Sequence, residues 1–199
     1  LERRYGPEPT LSLRRNGETI RLDLSSLIPG DRGLLQLSGS DWALLPAEAH
    51  ESSSQEQADQ AMLIRSPGGD SNLSNLSLLS LSTAARRAIQ QQAAGRDPLF
   101  GQLSFQLSGI APGSLQKVEV NLPGEGLVDP VLLKQDKTGA WHSFGYDPIT
   151  GTGAIFHDDD NDGSKEHAVV WIRDGGRGDD DGLANGIILD PAVFAGTLP

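Results

Sequence analysis

The sequence predicts an all-β fold: an Ig-like β-sandwich with calcium-binding loops and one short connecting helix. Three observations predict it. From Asp97 onward, short runs of alternating apolar and polar residues recur about every ten residues between Gly and Pro turns, the rhythm of a sandwich. The composition is loop-rich yet foldable, with 24 Gly, 12 Pro and 37% hydrophobic residues in 199. Two acidic, glycine-bearing loops lie between Asp158 and Asp190, separated by one apolar run.

Residues 1–10 form an extended lead-in, because Pro7 and Pro9 forbid a helix there. Leu11 and Leu13, then Ile20, Leu22 and Leu24, alternate with polar residues around Asn16-Gly17, which reads as a β-hairpin. Leu34 to Leu37, Trp42 to Leu45 and Met62 to Ile64 are further short strands. Residues 47–61 are polar and read as a surface loop. The leucines from Leu73 to Leu81 fit neither the helical nor the strand period, so a buried strand pair and a solenoid-like turn both stay open.

Ser82-Thr83 offers an N-cap for a helix over 84–94, and Gly95 offers its stop. Ala84, Ala85, Ala88 and Ile89 are its expected buried side. Beyond it the strands run Gln102 to Leu107, Val118 to Leu122, Val131 to Leu133, Trp141 to Tyr146, Ala154 to Phe156, Ala168 to Ile172 and Ile187 to Leu189. Trp141 and Trp171 lie in apolar strands and are expected in the core. Two organisations follow. Residues 1–95 form a separate amino-terminal β-rich segment beside a calcium-loop sandwich of 96–199, or they contribute strands to the same sandwich.

The chemistry concentrates in the acidic loops. Asp158, Asp160 and Asp162 alternate, and Gly163 follows. Calcium takes six to eight oxygens, and alternating carboxylates on a curling backbone supply several together. Gly163 permits the turn, Ser164 stands where a backbone carbonyl points inward, and Glu166 stands where a further ligand or its water sits. An EF-hand would need Glu three residues later. Val169 stands there and a strand begins, so the loop is not an EF-hand. The second loop, Asp174 to Gly182, is the expected donor of the missing ligands, through Asp174, Asp179 and Asp181. From Asp158 to Asp181 there are eight Asp plus Glu166, against Lys165, Arg173 and Arg177. A divalent ion relieves such repulsion. Solvated turns are the plainer account of the same residues.

Net charge is −11 and the isoelectric point lies near 4.6, which argues against nucleic acid as a partner. No disulfide is possible, since there is no Cys, so metal can take over the stapling role. No run approaches the roughly 18 apolar residues of a membrane-spanning helix. No signal peptide is visible; a processed chain and an excised piece both fit a start at Leu1.

Among hydrolytic motifs, G-x-S-x-G, H-E-x-x-H and the P-loop are all missing, and His142, His157 and His167 have no evident nucleophile to serve. No enzyme activity is expected. Asp-Pro occurs at Asp97, Asp129, Asp147 and Asp190, a turn dipeptide that some secreted modules also use for self-cleavage. Arg177-Gly178-Asp179 spells an adhesion tripeptide, but a loop of these residues produces it readily.

Asp174 through Pro191, D-G-G-x-G-D-x-D-G-x-x-N-G-x-I-x-D-P, resembles the choice-of-anchor U domain of bacterial cell-surface proteins. Gly109 to Ser114, Leu122-Pro123 and Trp141 to Phe144 extend the likeness over about residues 100–192. The resemblance implies a secreted β-domain placed before a variable anchoring signal, without enzymatic activity. The residues up to Pro199 carry no hydrophobic tail or sortase-like signal.

The expected function is therefore a secreted or cell-surface structural module stabilised by Ca2+, able to self-assemble into a filament or layer, with a homo-oligomer or neighbouring surface domains as its expected partners. The alternatives are a calcium-dependent adhesin or carbohydrate-binding module, and a module that cleaves itself at Asp-Pro.

Overall fold

The computed structural model describes residues 62–67, 71–136 and 138–199 with their side chains, and the backbone of 10–15, 18–23, 34–38 and 41–44. The expected turn at Asn16-Gly17 and the polar run 47–61 lie outside these residues. In chain order the strands are β1 (Thr10–Arg15), β2 (Glu18–Asp23), β3 (Leu34–Ser38), β4 (Asp41–Leu44), β5 (Met62–Arg65), β6 (Asn72–Leu79) and β7 (Asp97–Ser108). Then come β8 (Leu115–Asn121), β9 (Val128–Gln135), β10 (Trp141–Ser143), β11 (Gly153–His157), β12 (His167–Arg173) and β13 (Ile187–Thr197). Helix α1 (Thr83–Gln92) joins β6 to β7.

The fold is an all-β sandwich. One sheet has five strands in the order β10-β9-β13-β7-β6, the other six in the order β11-β12-β8-β5-β4-β3, and β1 pairs with β2 alone. Every ladder between named strands is antiparallel. Alternation decides what each strand buries. Leu103, Phe105 and Leu107 of β7, Val118 and Val120 of β8, and Ala168, Val170 and Ile172 of β12 meet between the sheets. β5 pairs with β8 and β6 with β7, so residues on both sides of position 95 share the two sheets.

The leucine run that fits no period is one strand. Register shifts between Ser74 and Ser77, where Asn75 takes φ 51°. Such a bulge flips the phase of the alternation, placing Leu73 before it and Leu76 and Leu78 after it against the same core.

Helix α1 is more than a connection. Ser82 Oγ accepts the Ala85 N–H at 3.1 Å, and Ala94 and Gly95 end the helix with positive φ. Its buried residue is Ile89, followed by Ala93 just past the end, whereas Ala84 and Ala88 are exposed. Ile89 and Ala93 pack with Leu133, Trp141, Val193 and Ala195, the outward face of the five-stranded sheet. Trp141 is thus buried under the helix rather than between the sheets. Trp171 is only half-buried: it points away from Ala168, Val170 and Ile172, and Lys117 Nζ lies 5.8 Å from its ring centre.

β13 is longer than the Ile187–Leu189 expected. It continues through Pro191 to Thr197, between β9 and β7. Pro191 is tolerated because it precedes the ladder to β9, which begins at the Ala192–Lys134 pair.

Candidate metal centre

The first acidic loop, 158–166, joins β11 to β12 at one end of the six-stranded sheet. Its exit is clamped to the β8–β9 connection: Leu122 N–H donates to Glu166 O at 2.7 Å, and Leu127 and Lys165 exchange backbone bonds of 2.8 and 3.1 Å. Gly126 makes that clamp possible, because a Cβ there would stand 2.3 Å from Lys165 O.

Within the loop the chain curls around its own carboxylates. Asn161 and Gly163 take φ 65° and 102°, the left-handed conformation that turns the backbone inward. Asp158 accepts the N–H groups of Asp162 (3.2 Å) and Gly163 (3.0 Å), and Asp162 accepts that of Ser164 (2.7 Å). Glu166 Oε2 reaches back to the Asp159 N–H at 2.8 Å. One carboxylate oxygen each from Asp158, Asp160, Asp162 and Glu166 then lie within 4.8 Å of one another. Ser164 is buried beside them.

Electrostatics divides the four. Burial raises the Glu166 carboxyl above its usual range, and the charges of Asp160 and Asp158 add to this against the Asp159 N–H. Burial also opposes the charge on Asp158, but the Gly163 and Asn161 N–H groups and Lys165 outweigh it and hold that carboxyl low. Lys165 Nζ, 3.4 Å from Asp158, is the cation in direct contact. Glu166 Oε1 and Asp159 Oδ2 are buried without a hydrogen-bond partner. An all-oxygen, anionic set with unspent buried oxygens fits a hard divalent cation.

The second loop does not complete this site. Seven-residue β12 stands between the loops, holding them about 20 Å apart at the usual strand rise. Asp174, Asp179 and Asp181 therefore serve elsewhere and accept from backbone amides, although Asp174 Oδ1 is buried without a hydrogen-bond partner. Asp174 Oδ2 accepts the N–H groups of Gly113 (2.8 Å) and Gly186 (3.0 Å). Asp179 accepts those of Gly175 (2.8 Å) and Leu189 (3.0 Å), and Asp181 that of Leu183 (2.7 Å). Burial raises the Asp179 carboxyl despite these bonds.

The adhesion tripeptide is folded inward. The Arg177 guanidinium lies 4.5 Å from the Phe144 ring centre and donates to the carbonyls of Gly145 and Thr152, while Asp179 is buried. His157 and His167 face each other across β11 and β12 with ring centres 5.4 Å apart.

One pair of residues escaped the sequence reading. Lys134 of β9 and Asp190 of β13 are both buried, with Nζ 2.5 Å from Oδ1. At that distance the groups touch, and no other donor reaches Asp190 Oδ1. Lys134 also donates to Gly178 O at 2.7 Å and lies 4.7 Å from the Phe144 ring centre. The available signal was phase: Asp190 keeps step with inward Ile188, Ala192 and Phe194, and Lys134 with inward Leu132.

Among the described residues, no helix is long and apolar enough to cross a membrane. Compared with protein families, curated proteins and solved structures, the chain matches none.

Proposed function

We propose that this chain is a non-enzymatic structural module of a secreted or cell-surface protein, in which Ca2+ at the 158–166 loop fastens β12 to its neighbours. The observation that carries the reading is the convergence of the four carboxylates of Asp158, Asp160, Asp162 and Glu166 within 4.8 Å. Four carboxylates leave room for a backbone carbonyl and water in the six to eight places calcium fills. Calcium is favoured over zinc because no His or Cys joins the set and hard oxygen donors dominate. The ion's role is structural. The loop joins two strands and is clamped to a third connection, so binding energy appears as folding stability. The resemblance of Asp174 to Pro191 to a cell-surface β-domain supports an extracellular setting, where calcium is plentiful.

The test is thermal unfolding in EDTA and in millimolar calcium, for the wild-type chain and an Asp160→Ala/Asp162→Ala double variant. A calcium-dependent rise in midpoint that the double variant loses is the expected result. An unchanged wild-type midpoint would reduce the loop to a solvated turn and remove the calcium reading. Light scattering on the same samples reports assembly: a calcium-dependent polymer would make self-association the leading role.

A further inference from the structure

We propose that Lys134 and Asp190 join covalently, as an intramolecular isopeptide bond between Lys134 Nζ and Asp190 Cγ, because the two side chains touch at 2.5 Å in a site sealed from solvent. The inference needs no bound metal and is independent of the calcium reading.

Placement comes first. β9 and β13 are neighbouring strands, with Lys134 opposite Ala192 and Asp190 two residues along on the same inward face. This diagonal spacing lets a long lysine side chain reach a short carboxylate across the ladder. The side chains are 2% and 1% exposed, so the contact is fixed and solvent is shut out. The Phe144 ring lies along one side of Nζ and the Gly178 carbonyl accepts from it. Gly178 admits this arrangement, since a Cβ there would stand 2.3 Å from Phe144 Cζ. No other donor reaches Asp190 Oδ1, so Nζ is the one group in contact with it.

The chemistry follows from burial. A lysine ammonium is no nucleophile and a carboxylate is a poor electrophile, so a salt bridge in water never condenses. Here burial lowers the lysine and raises the aspartate, each against the attraction of the other's charge. Both shifts favour moving a proton across the contact, giving a free amine beside a carboxylic acid. The amine lone pair adds to Cγ, forming the C–N bond as the carbonyl π electrons move to oxygen. The proton on nitrogen passes to one hydroxyl of the adduct. That hydroxyl leaves as water and the carbonyl reforms. The balance is amine plus carboxylic acid giving amide plus one water, with no oxidant, reductant or activating group. Held reactants can have an effective concentration of about 10⁵–10⁸ M, which offsets a slow intrinsic step.

The test is the intact mass of the purified full chain in denaturant, with EDTA present, followed by proteolysis and fragmentation. The expected mass is one water below that of the sequence, with a branched peptide joining the Lys134 segment to the Asp190 segment. Lys134→Arg and Asp190→Ala should each show the full mass of their own sequences. A wild-type chain at full sequence mass would overturn the proposal. So would a water loss that persists in Lys134→Arg, or one that fragmentation maps to a succinimide at Asp162-Gly163, Asp174-Gly175 or Asp181-Gly182. The branched peptide is sought in the wild-type chain, so a variant that fails to fold does not spoil the test.

Discussion

Single residues decide how the loops are held. Gly178 has φ 93° and lies against Phe144. Gly178→Ala would force both a strained backbone and a clash, and should cost more than about 2 kcal/mol. Thermal unfolding should register a midpoint lower by more than about 4 °C. Glu166 carries a testable sign. Its folded carboxyl titrates above its unfolded value, so without metal its charge works against folding. That part of apo stability should fall as pH rises from the ordinary carboxyl range through the raised value. Glu166→Gln should therefore raise the EDTA midpoint at neutral pH, by roughly 1–3 °C given solvent screening, while shrinking the calcium-induced shift. Asp136 behaves oppositely. The Thr138 hydroxyl and the Ala140 and Thr138 N–H groups hold its carboxyl low. Its contribution is present above the unfolded value and is lost as pH falls through the folded one. Asp136→Ala should lower the midpoint at neutral pH and leave it unchanged in strong acid. The alternation of Asp158, Asp160 and Asp162 before Gly163 made the first loop legible, because local spacing sets it. The amide partners of Asp174 and Asp179 were not legible, because Gly113, Gly186 and Leu189 reach them only once strands have paired.

At the scale of elements, the helix shows how a correct outline can hide the wrong face. Ser82 and Gly95 punctuate it as the sequence predicts, but three alanines and an isoleucine could not orient it. The sheet beneath does so by offering Leu133, Trp141 and Val193 to Ile89. Ile89→Ala should cost about 2–5 kcal/mol and Ser82→Ala about 1 kcal/mol, both read by denaturant unfolding. The larger loss at Ile89 would mark α1 as part of the core; equal small losses would make it a passive connection. β6 and β13 were hidden for a common reason. A bulge at Ser74–Ser77 breaks the period of one, and the other runs on through Pro191 and a register shift between Val193 and Ala195. Both are backbone events that the apolar pattern does not encode.

For the whole molecule, the two acidic loops stand at opposite ends of β12 and stiffen the sandwich by different means. Carboxylates of one accept from backbone amides, and the proposed ion would neutralise the other. Saturating calcium at about a hundred times its dissociation constant should stabilise the chain by about 2.7 kcal/mol. Such a gain corresponds to a midpoint rise of roughly 5–11 °C, checked by calorimetry across a calcium titration. The sandwich itself could be read from the sequence, since strand spacing and turn residues are local. Which strands adjoin could not, because β13 with β7 and β12 with β8 are pairings between distant segments.

The central place of β13 sets the order in which this chain can become a protein. It is the last strand in sequence among those described, yet it lies between β9 and β7 rather than at a margin. Until Ile187–Thr197 arrives, β7 and β9 face a gap, each with an unpaired row of backbone donors and acceptors. A chain emerging from a ribosome thus carries an unfilled slot until β13 has followed. The slot would also accept a strand from another molecule. The same topology that makes the finished sheet continuous leaves the nascent one open to capture until β13 takes its place.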